Sequence, residues 1–315
     1  MSRFGHAVTG PYRFAARIRR SRAGWLPLPA PSLSVGNLAF GGRCKTPLVA
    51  ALAKFAMNSG RRVAILTRGY PVTTRFRPPV LLRAYGDLEG APWLQPLVVK
   101  GEDPVQAFHL AARVGDEAPW LAAVTGAPVI VHPDRQSSAQ LALAQAGPID
   151  FLLLDDGFQS PVRADLDVVV VDPATDLRRR NALRESPSSL VEALVVHLGR
   201  DLRRRAGPCR DLQTGRLIPS PEGPHLLAAG VGSPKSVITI ARAAGLNVGG
   251  RIRLRDHRGP SRRRLAGITD RLLVTEKDAV GWAAASQHAG TVLGMRLDGA
   301  DAIWSQLHPM LDELG

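Results

Sequence analysis

The stretch that decides the fold runs from residue 34 to residue 47 and reads Ser34-Val35-Gly36-Asn37-Leu38-Ala39-Phe40-Gly41-Gly42-Arg43-Cys44-Lys45-Thr46-Pro47. A short apolar run enters a glycine-containing turn, and a helical pattern then extends from about Lys45 to Asn58. This is the layout of a phosphate-binding loop, in which backbone N–H groups and a helix N-terminus bind phosphate oxygens, lysine reaches the terminal phosphates and threonine ligates Mg²⁺. The predicted nucleotide-binding residues are Ala39, Phe40, Gly41, Gly42, Arg43, Cys44, Lys45 and Thr46.

The match to the phosphate-loop pattern G-x-x-x-x-G-K-[ST] is incomplete. Ala39 stands at the first glycine position and Cys44 at the second. Taken alone, the stretch also fits an ordinary glycine-rich turn between a strand and a helix.

Apolar runs of three to five residues alternate with helical patterns on either side of this loop, which predicts a mostly parallel sheet with helices on both faces. The predicted strands are Leu33–Val35, Val63–Thr67, Pro128–Val131, Phe151–Asp155 and Val168–Asp172, with a helix over Ser137–Gln145. Residues 70–110 are rich in proline and glycine, so we expect a long loop there.

The alternation restarts after an arginine-rich stretch at 200–216. The predicted elements of this second region are a strand at His225–Ala229, a helix to Ala244, strands at Arg271–Thr275 and Val292–Leu297, and a closing helix that carries Ile303, Leu307, Met310 and Leu314. The sequence thus predicts an α/β protein with a phosphate-loop domain at 31–215 and a smaller α/β domain at 216–315 that closes the active-site cleft.

Composition excludes several classes of protein. With 45% hydrophobic and 22% charged residues, the chain has a globular composition rather than a disordered one. It contains no apolar run long enough for a membrane-spanning helix and no signal-peptide pattern, and its two cysteines, Cys44 and Cys209, cannot form a disulfide framework. We therefore expect a soluble protein of a reducing, cytoplasmic compartment.

The charge is strongly basic. The formal net charge is +14, and no acidic residue precedes Asp87, whereas arginines crowd residues 3–22. An excess of positive charge attracts nucleic acid, an anionic membrane or phosphorylated substrates. The alternative is that the net charge only reflects an arginine-rich composition and has no functional meaning. Residues 1–30 predict a weak amphipathic helix, which either lies on a membrane or packs as a solvated helix on the first domain. The chain lacks a readout helix and an aromatic-interleaved basic motif, so we do not expect it to bind nucleic acid.

Carboxylates follow the strand at Phe151–Asp155. Asp155 is the candidate Mg²⁺ ligand, and Asp156, which should face the opposite side, is expected to orient a loop. Gly115-Asp116-Glu117 precedes a helix, so its carboxylates are either a helix cap or a base and a metal ligand. Thr275-Glu276-Lys277-Asp278 is by itself a good capping sequence.

In this order the motifs resemble those of tetraacyldisaccharide 4′-kinase, the lipid A disaccharide kinase family. The stretches that carry the resemblance are Val35–Leu38, Gly41-Gly42, Lys45-Thr46-Pro47, Thr67-Arg68-Gly69-Tyr70, Gly115-Asp116-Glu117, Asp155-Asp156-Gly157-Phe158-Gln159, Leu183-Arg184-Glu185, Ala229-Gly230-Val231-Gly232, Asp256-His257 and Thr275–Asp278.

The resemblance implies transfer of phosphate from ATP, with Mg²⁺, to the 4′-hydroxyl of a tetraacylated glucosamine disaccharide 1-phosphate. It also implies a peripheral location on the cytoplasmic face of the bacterial inner membrane. The roles it implies are Asp116 as catalytic base with His257 as its partner, Thr46, Glu117 and Asp155 as metal ligands, and Asp156, Arg68 and Arg184 as substrate- or loop-orienting residues.

The chain departs from the family pattern at five positions. The departures are Arg43 and Cys44 before Lys45, Pro71 after Arg-Gly-Tyr, Ala118 after Gly-Asp-Glu, and Ser160 after Asp-Asp-Gly-Phe-Gln. A Cβ at a position where glycine permits close phosphate approach or a positive φ costs about 1–2 kcal/mol if the backbone shape is kept. This corresponds to roughly tenfold weaker nucleotide binding. A non-catalytic nucleotide- or lipid-binding relative of the kinase is therefore the alternative hypothesis.

Overall fold

The structure is a computed structural model that describes residues 26–37, 44–69, 78–88, 90–158, 160, 162–172, 193–254, 262–265, 267–282 and 288–314. Its strands are β1 (Leu26–Pro27), β2 (Ser32–Asn37), β3 (Val63–Thr67), β4 (Val80–Ala84), β5 (Pro96–Val99), β6 (Val105–Gln106), β7 (Val129–Val131), β8 (Phe151–Asp155), β9 (Val162–Arg163), β10 (Leu166–Val171), β11 (Ala193–His197), β12 (Arg203–Asp211), β13 (Leu217–Ile218), β14 (Pro224–Ala228), β15 (Asn247–Ile252), β16 (Arg271–Thr275) and β17 (Gly290–Asp298). Its helices are α1 (Lys45–Asn58), α2 (Ala107–Val114), α3 (Glu117–Thr125), α4 (Arg135–Gln145), α5 (Pro234–Ala243), α6 (Arg262–Leu265), α7 (Glu276–Gly281) and α8 (Ala300–Asp312).

The chain forms two compact units, and each is discontinuous in sequence. The first unit comprises Met1–Arg68, His132–Arg203 and Asp298–Gly315, and the second comprises Gly69–Val131 and Arg204–Leu297. The units combine segments distant in sequence, whereas the sequence analysis assumed continuous ones. The limits 31–215 and 216–315 stay a prediction.

Parallel strands build the first unit. They lie side by side in the order β11-β10-β2-β8-β3, and every neighbouring pair is parallel. All residues of β2, β3 and β8 are buried, as expected for strands covered on both faces. Helix α1 packs on these three strands and α4 packs on β3. The predicted α/β class and parallel strands are confirmed, and α1, β3 and β8 have the predicted limits.

The second unit contains two groups of strands. Strands β7, β4, β5 and β6 are antiparallel neighbours in that order, and helix α3 packs on β4, β5 and β7. A six-stranded sheet has the order β13-β12-β17-β16-β14-β15, and its β14, β15, β16 and β17 pair in parallel. Helix α7 packs against both α2 and α3.

The prediction of a long loop over residues 70–110 is wrong for the part of this range that the structure describes. Strands β4, β5 and β6 and the start of α2 lie within it. The prolines and glycines stand at the ends of these elements, for example Pro96 at the first position of β5 and Gly86 in the turn after β4. The average composition therefore hid short runs of strand-forming residues such as Val80-Leu81-Leu82.

Within the described residues, no helix is both long and apolar enough to cross a bilayer. Of the basic segment at residues 1–30, for which the sequence predicts an amphipathic helix, residues 1–25 lie outside the described residues, and the described end contains strand β1.

Candidate active site

The helix that carries Lys45 and Thr46 begins directly after an unusual residue. Cys44 is the N-cap of α1, its backbone is left-handed (φ 61°, ψ 19°), and its side chain makes no capping hydrogen bond. The backbone N–H groups of the first helical turn are therefore not capped by this side chain, which leaves the helix start suited to anionic oxygens. The preceding loop residues 38–43 lie outside the described residues.

Lys45 lies between the ends of two neighbouring strands. Its Nζ donates to Asn37 Oδ1 at the end of β2 (2.9 Å) and to Asp156 Oδ1 just after β8 (2.5 Å). Because β2 and β8 are parallel neighbours, their carboxyl ends meet at one edge, where ligands of parallel sheets bind. These two hydrogen bonds place the Lys45 ammonium group at this edge.

Thr46 and Asp155 form the second contact at the same edge. Thr46 Oγ1 lies 3.4 Å and 3.3 Å from the two carboxylate oxygens of the buried Asp155. Asp156 turns away in a left-handed conformation (φ 54°) and forms the ion pair with Lys45. The two aspartates thus have different partners, in agreement with the expected alternation.

Arg135 completes this edge and was missed by the sequence analysis. It is fully buried, and its guanidinium donates to His132 O and to Asp155 O, both at 2.9 Å. Burial, with a smaller contribution from the nearby Arg68 cation, lowers the pKa of Arg135 to about 10 against the opposing effect of the Asp155 and Asp156 carboxylates. The group is still cationic at neutral pH, so a buried positive charge lies beside the carboxylates at the end of β8.

The donor set fits Mg²⁺ bound together with phosphate. Carboxylate and hydroxyl oxygens are the ligands that Mg²⁺ prefers, and it is usually held by one or two carboxylates plus substrate phosphates rather than by a full protein cage. Separately, the described residues contain no cluster of three or more His, Cys, Asp or Glu side chains suited to a metal ion.

In the second unit, Asp116 and Glu117 open helix α3. Gly115 precedes them with φ +84°, and Asp116 occupies the N-cap position with a buried side chain that makes no capping hydrogen bond. The predicted capping position is thus occupied by Asp116, with Glu117 in the first turn of the helix, but Asp116 does not cap through its side chain. Lys277 Nζ lies 4.0 Å from Asp116 Oδ2 and 3.6 Å from Glu117 Oε1, so a cation faces both carboxylates.

The capping interpretation of Thr275–Asp278 is confirmed. Thr275 Oγ1 accepts a hydrogen bond from Asp278 N (3.3 Å) and donates to Asp278 Oδ2 (2.6 Å), and Gly230 N donates to Asp278 Oδ1 (2.9 Å). Burial raises the pKa of Asp278 to about 6, a shift that the Lys277 charge and these hydrogen bonds reduce.

The structure thus groups the predicted residues of each unit separately. The first unit brings Cys44, Lys45, Thr46, Asp155 and Asp156 to one sheet edge, with Arg68 beside Arg135. The second unit places Asp116 next to Glu117. The predicted site residues outside the described part of the chain are Ala39, Phe40, Gly41, Gly42, Arg43, Arg184 and His257.

Three further residues were given no role by sequence reasoning. Asn37 was quoted only as part of a motif, although its position at a strand end beside the loop was a usable signal. Arg135 follows the helix cap Asp134 in the short connection after strand β7, and this position was a weaker signal. For Lys277, which lies within a capping sequence, the sequence offered no separate signal.

The family model for LpxK, tetraacyldisaccharide-1-P 4′-kinase, matches residues 4–312. Tetraacyldisaccharide 4′-kinase of Rhodospirillum centenum is 34% identical over 294 residues, which cover 85% of this chain and 79% of that protein. The enzyme of the same name from Geobacter metallireducens is 31% identical, with 86% of this chain and 85% of that protein covered.

Among solved structures, the chain is similar to LpxK from Aquifex aeolicus, a crystal structure of an "apo" form in complex with ATP. The TM-score is 0.68 at 20% identity, and the match covers 96% of this chain and 97% of that one, which establishes a shared fold. Together with the full-length family match and the two enzymes above, this shows that the chain belongs to the tetraacyldisaccharide 4′-kinase family.

Proposed function

We propose that this protein transfers the γ-phosphoryl group of ATP to the 4′-hydroxyl of a tetraacylated glucosamine disaccharide 1-phosphate, a step of lipid A biosynthesis. The observation that carries the proposal is the joint placement of Lys45 and Thr46 beside Asp156 and Asp155 at the carboxyl end of the parallel strands. Family membership supports the identity of the acceptor lipid.

The first unit supplies the groups that bind the nucleotide. The N–H groups at the start of α1 and the Lys45 ammonium would bind phosphate oxygens, and Thr46 and Asp155 would hold Mg²⁺. When bound, Mg²⁺ neutralises charge on the phosphates and favours in-line transfer. Asn37 and Asp156 hold Lys45 from two sides, which limits the conformations its long side chain can adopt.

We assign Asp116 as the base that takes the proton of the 4′-hydroxyl, with His257 as its partner and Glu117 as a second metal contact. Phosphoryl transfer passes through a loose transition state, so positioning and charge neutralisation matter more than base strength, and an aspartate suffices. Its burial keeps competing water away from the carboxylate. Arg68, Arg184 and Asp156 would orient the substrates or their loops.

We further infer a peripheral location at the cytoplasmic face of the bacterial inner membrane. The acceptor is an acylated phosphate lipid, and residues 1–25 carry unopposed arginines that attract anionic headgroups.

A transfer assay tests the proposal. The purified full chain, ATP, Mg²⁺ and tetraacyldisaccharide 1-phosphate should yield the 4′-phosphorylated lipid, and EDTA should abolish the product. Asp116→Ala should lower kcat by about a hundredfold or more, whereas Asp103→Ala, which removes an exposed aspartate of the same unit, should leave it unchanged.

Two outcomes would contradict the proposal: no transfer by the intact protein, or full activity of Asp116→Ala. The assay also separates the catalyst from the non-catalytic alternative, which Arg43, Cys44 and Ser160 suggested. Turnover by the unaltered chain excludes a purely binding role. Activity that emerges only in Cys44→Gly would identify a catalyst impaired at that position.

A further inference from the structure

The start of helix α7 reaches the pair of carboxylates that open helix α3. Lys277 Nζ lies 3.6 Å from Glu117 Oε1 and 4.0 Å from Asp116 Oδ2, so one ammonium group faces two adjacent carboxylates. We propose that Lys277 is a positioning residue that holds Asp116 and Glu117 in their working orientation and acts on phosphoryl transfer through them. The inference rests on the proposed function, since it assigns a role within that reaction.

Two neighbouring carboxylates in a largely buried place need a compensating charge. The Asp116 side chain is 8% exposed and that of Glu117 23%, so water screens their mutual repulsion only in part. Without a cation, the two side chains would turn away from each other. The Lys277 ammonium offsets this repulsion and attracts both groups to one point, which narrows the orientations of each carboxylate.

The lysine itself is held in place by the residues on both sides of it. Thr275 and Asp278 close the first turn of α7 through the hydrogen bond between their side chains (2.6 Å). Glu276 Oε2 accepts a hydrogen bond from Trp120 Nε1 on α3 (3.3 Å). The two helices are therefore joined next to Lys277, so its ammonium is directed at the start of α3 rather than free to swing.

The far end of α7 also lies against Asp116. A Cβ added to Gly281 would lie only 3.3 Å from Asp116 Cβ and 3.6 Å from Asp116 Oδ2. Helix α7 thus approaches Asp116 through charge at Lys277 and through close packing at Gly281. Within the Thr275–Asp278 motif, Glu276 and Lys277 are the residues that contact α3 and its N-cap. The motif therefore has a second role beyond capping.

The test compares Lys277→Met and Lys277→Gln, which remove the charge, with Lys277→Arg, which keeps it. Lys100→Met is the matched control, because it removes an exposed lysine from the same unit. For each variant, kcat and the KM values for ATP and the lipid are measured with saturating Mg²⁺, and thermal unfolding establishes which variants are folded.

If Lys277 positions the base, both neutral variants lose about ten- to a hundredfold in kcat, because small misplacements of a reacting group cost that much. The KM for ATP stays within twofold, and Lys277→Arg and Lys100→Met stay close to the wild-type kcat. The inference is overturned if a folded neutral variant keeps the wild-type kcat or if Lys277→Arg is as impaired as Lys277→Met. It is also overturned if the loss is a rise in the KM for ATP, which would mean direct nucleotide binding. Inactivity of the wild type would instead overturn the proposed function, and this inference with it.

Discussion

Two residues with left-handed backbone lie next to Lys45, the lysine of the proposed nucleotide site. Among the described residues, the non-glycine positions with positive φ are Cys44 (61°) and Asp156 (54°), one directly before Lys45 and one paired with it. A residue with a Cβ pays about 1–2 kcal/mol in this conformation, although aspartate tolerates it better than most. Strain of this kind often marks functional sites, and here it lies on both sides of Lys45.

Because of this backbone conformation, glycine at position 44 should give a more stable protein than alanine, the reverse of the usual order of stability. We expect Cys44→Gly to be more stable than Cys44→Ala by about 1 kcal/mol, because glycine adopts positive φ without a steric cost. Urea unfolding of both variants measures the difference. The control is the same pair at Cys209, in strand β12, where alanine should be the more stable residue. An alanine advantage at both positions would contradict the left-handed assignment.

Asp278 should make folding stability depend on pH. Its pKa is raised from 3.8 to about 6 by burial, so the folded protein binds a proton there more tightly than the unfolded chain does. The stabilisation by the proton bound at Asp278 is therefore fully present below pH 3.8, and the free energy of unfolding falls as the pH rises from about 4 to 6. The total loss of unfolding free energy is about 3 kcal/mol, and Asp278 causes no further change at higher pH.

Urea unfolding of the wild type and of Asp278→Asn between pH 4 and 7 isolates this contribution. The amide cannot titrate, so the difference in unfolding free energy between the two proteins should change over that window. A difference that is independent of pH would show that Asp278 is not the responsible group.

At the scale of elements, Arg135 ties the start of α4 to the end of β8. One guanidinium satisfies two backbone carbonyls, those of His132 and Asp155, in a place without access to solvent. The orientation of Asp155 at the strand end therefore depends on a residue of another element. Rigid support of this kind fits the metal-binding role that we propose for Asp155.

We expect Arg135→Met to destabilise the protein by about 2–4 kcal/mol, because it removes the buried guanidinium that donates to two backbone carbonyls. Arg135→Lys should recover little of this, since a single ammonium cannot reproduce the planar fork of guanidinium donors. Urea unfolding measures both variants. Arg62→Met is the control: Arg62 pairs with Asp150 at an exposed position, so its loss should cost far less. Equal losses at the two arginines would contradict the role given to Arg135.

At the scale of the whole molecule, the charge is concentrated where the sequence begins. The net charge is +14, and the first 86 residues contain no aspartate or glutamate. A juxtamembrane basic residue contributes about 1 kcal/mol to binding an anionic surface, so a cluster of arginines is sufficient for reversible attachment.

Replacing Arg13, Arg17, Arg19, Arg20 and Arg22 together by glutamine should lower binding to vesicles with acidic phospholipids more than tenfold. Co-sedimentation of the full chain at low salt measures this. Replacing the exposed Arg203, Arg205 and Arg216 is the control for a general charge effect and should have a smaller effect. Unchanged binding of the first variant would exclude residues 1–25 as the attachment segment.

Sequence patterns were sufficient where the apolar pattern stands out from its surroundings and failed where proline and glycine flank a strand. The limits of α1, β3 and β8 could be read from the chain because their apolar residues are continuous or helically spaced. Strands β4, β5 and β6 were missed because proline and glycine at their ends dominate the local composition. Asp116 was ambiguous in sequence, because an N-cap aspartate and a catalytic aspartate both precede a helix; the structure shows the N-cap position without a side-chain capping hydrogen bond, and the catalytic role stays a prediction.

The sequence alone determined the α/β class, the order of the motifs and the family, because these depend on residue types and spacings along the chain. Only the tertiary structure decided which side chains meet: Lys45 with Asn37 and Asp156, Arg135 with the carbonyl of Asp155, and Lys277 with Asp116 and Glu117. Most of these partners lie far apart in the chain. Their contacts arise from strand order and helix packing, which local sequence does not encode.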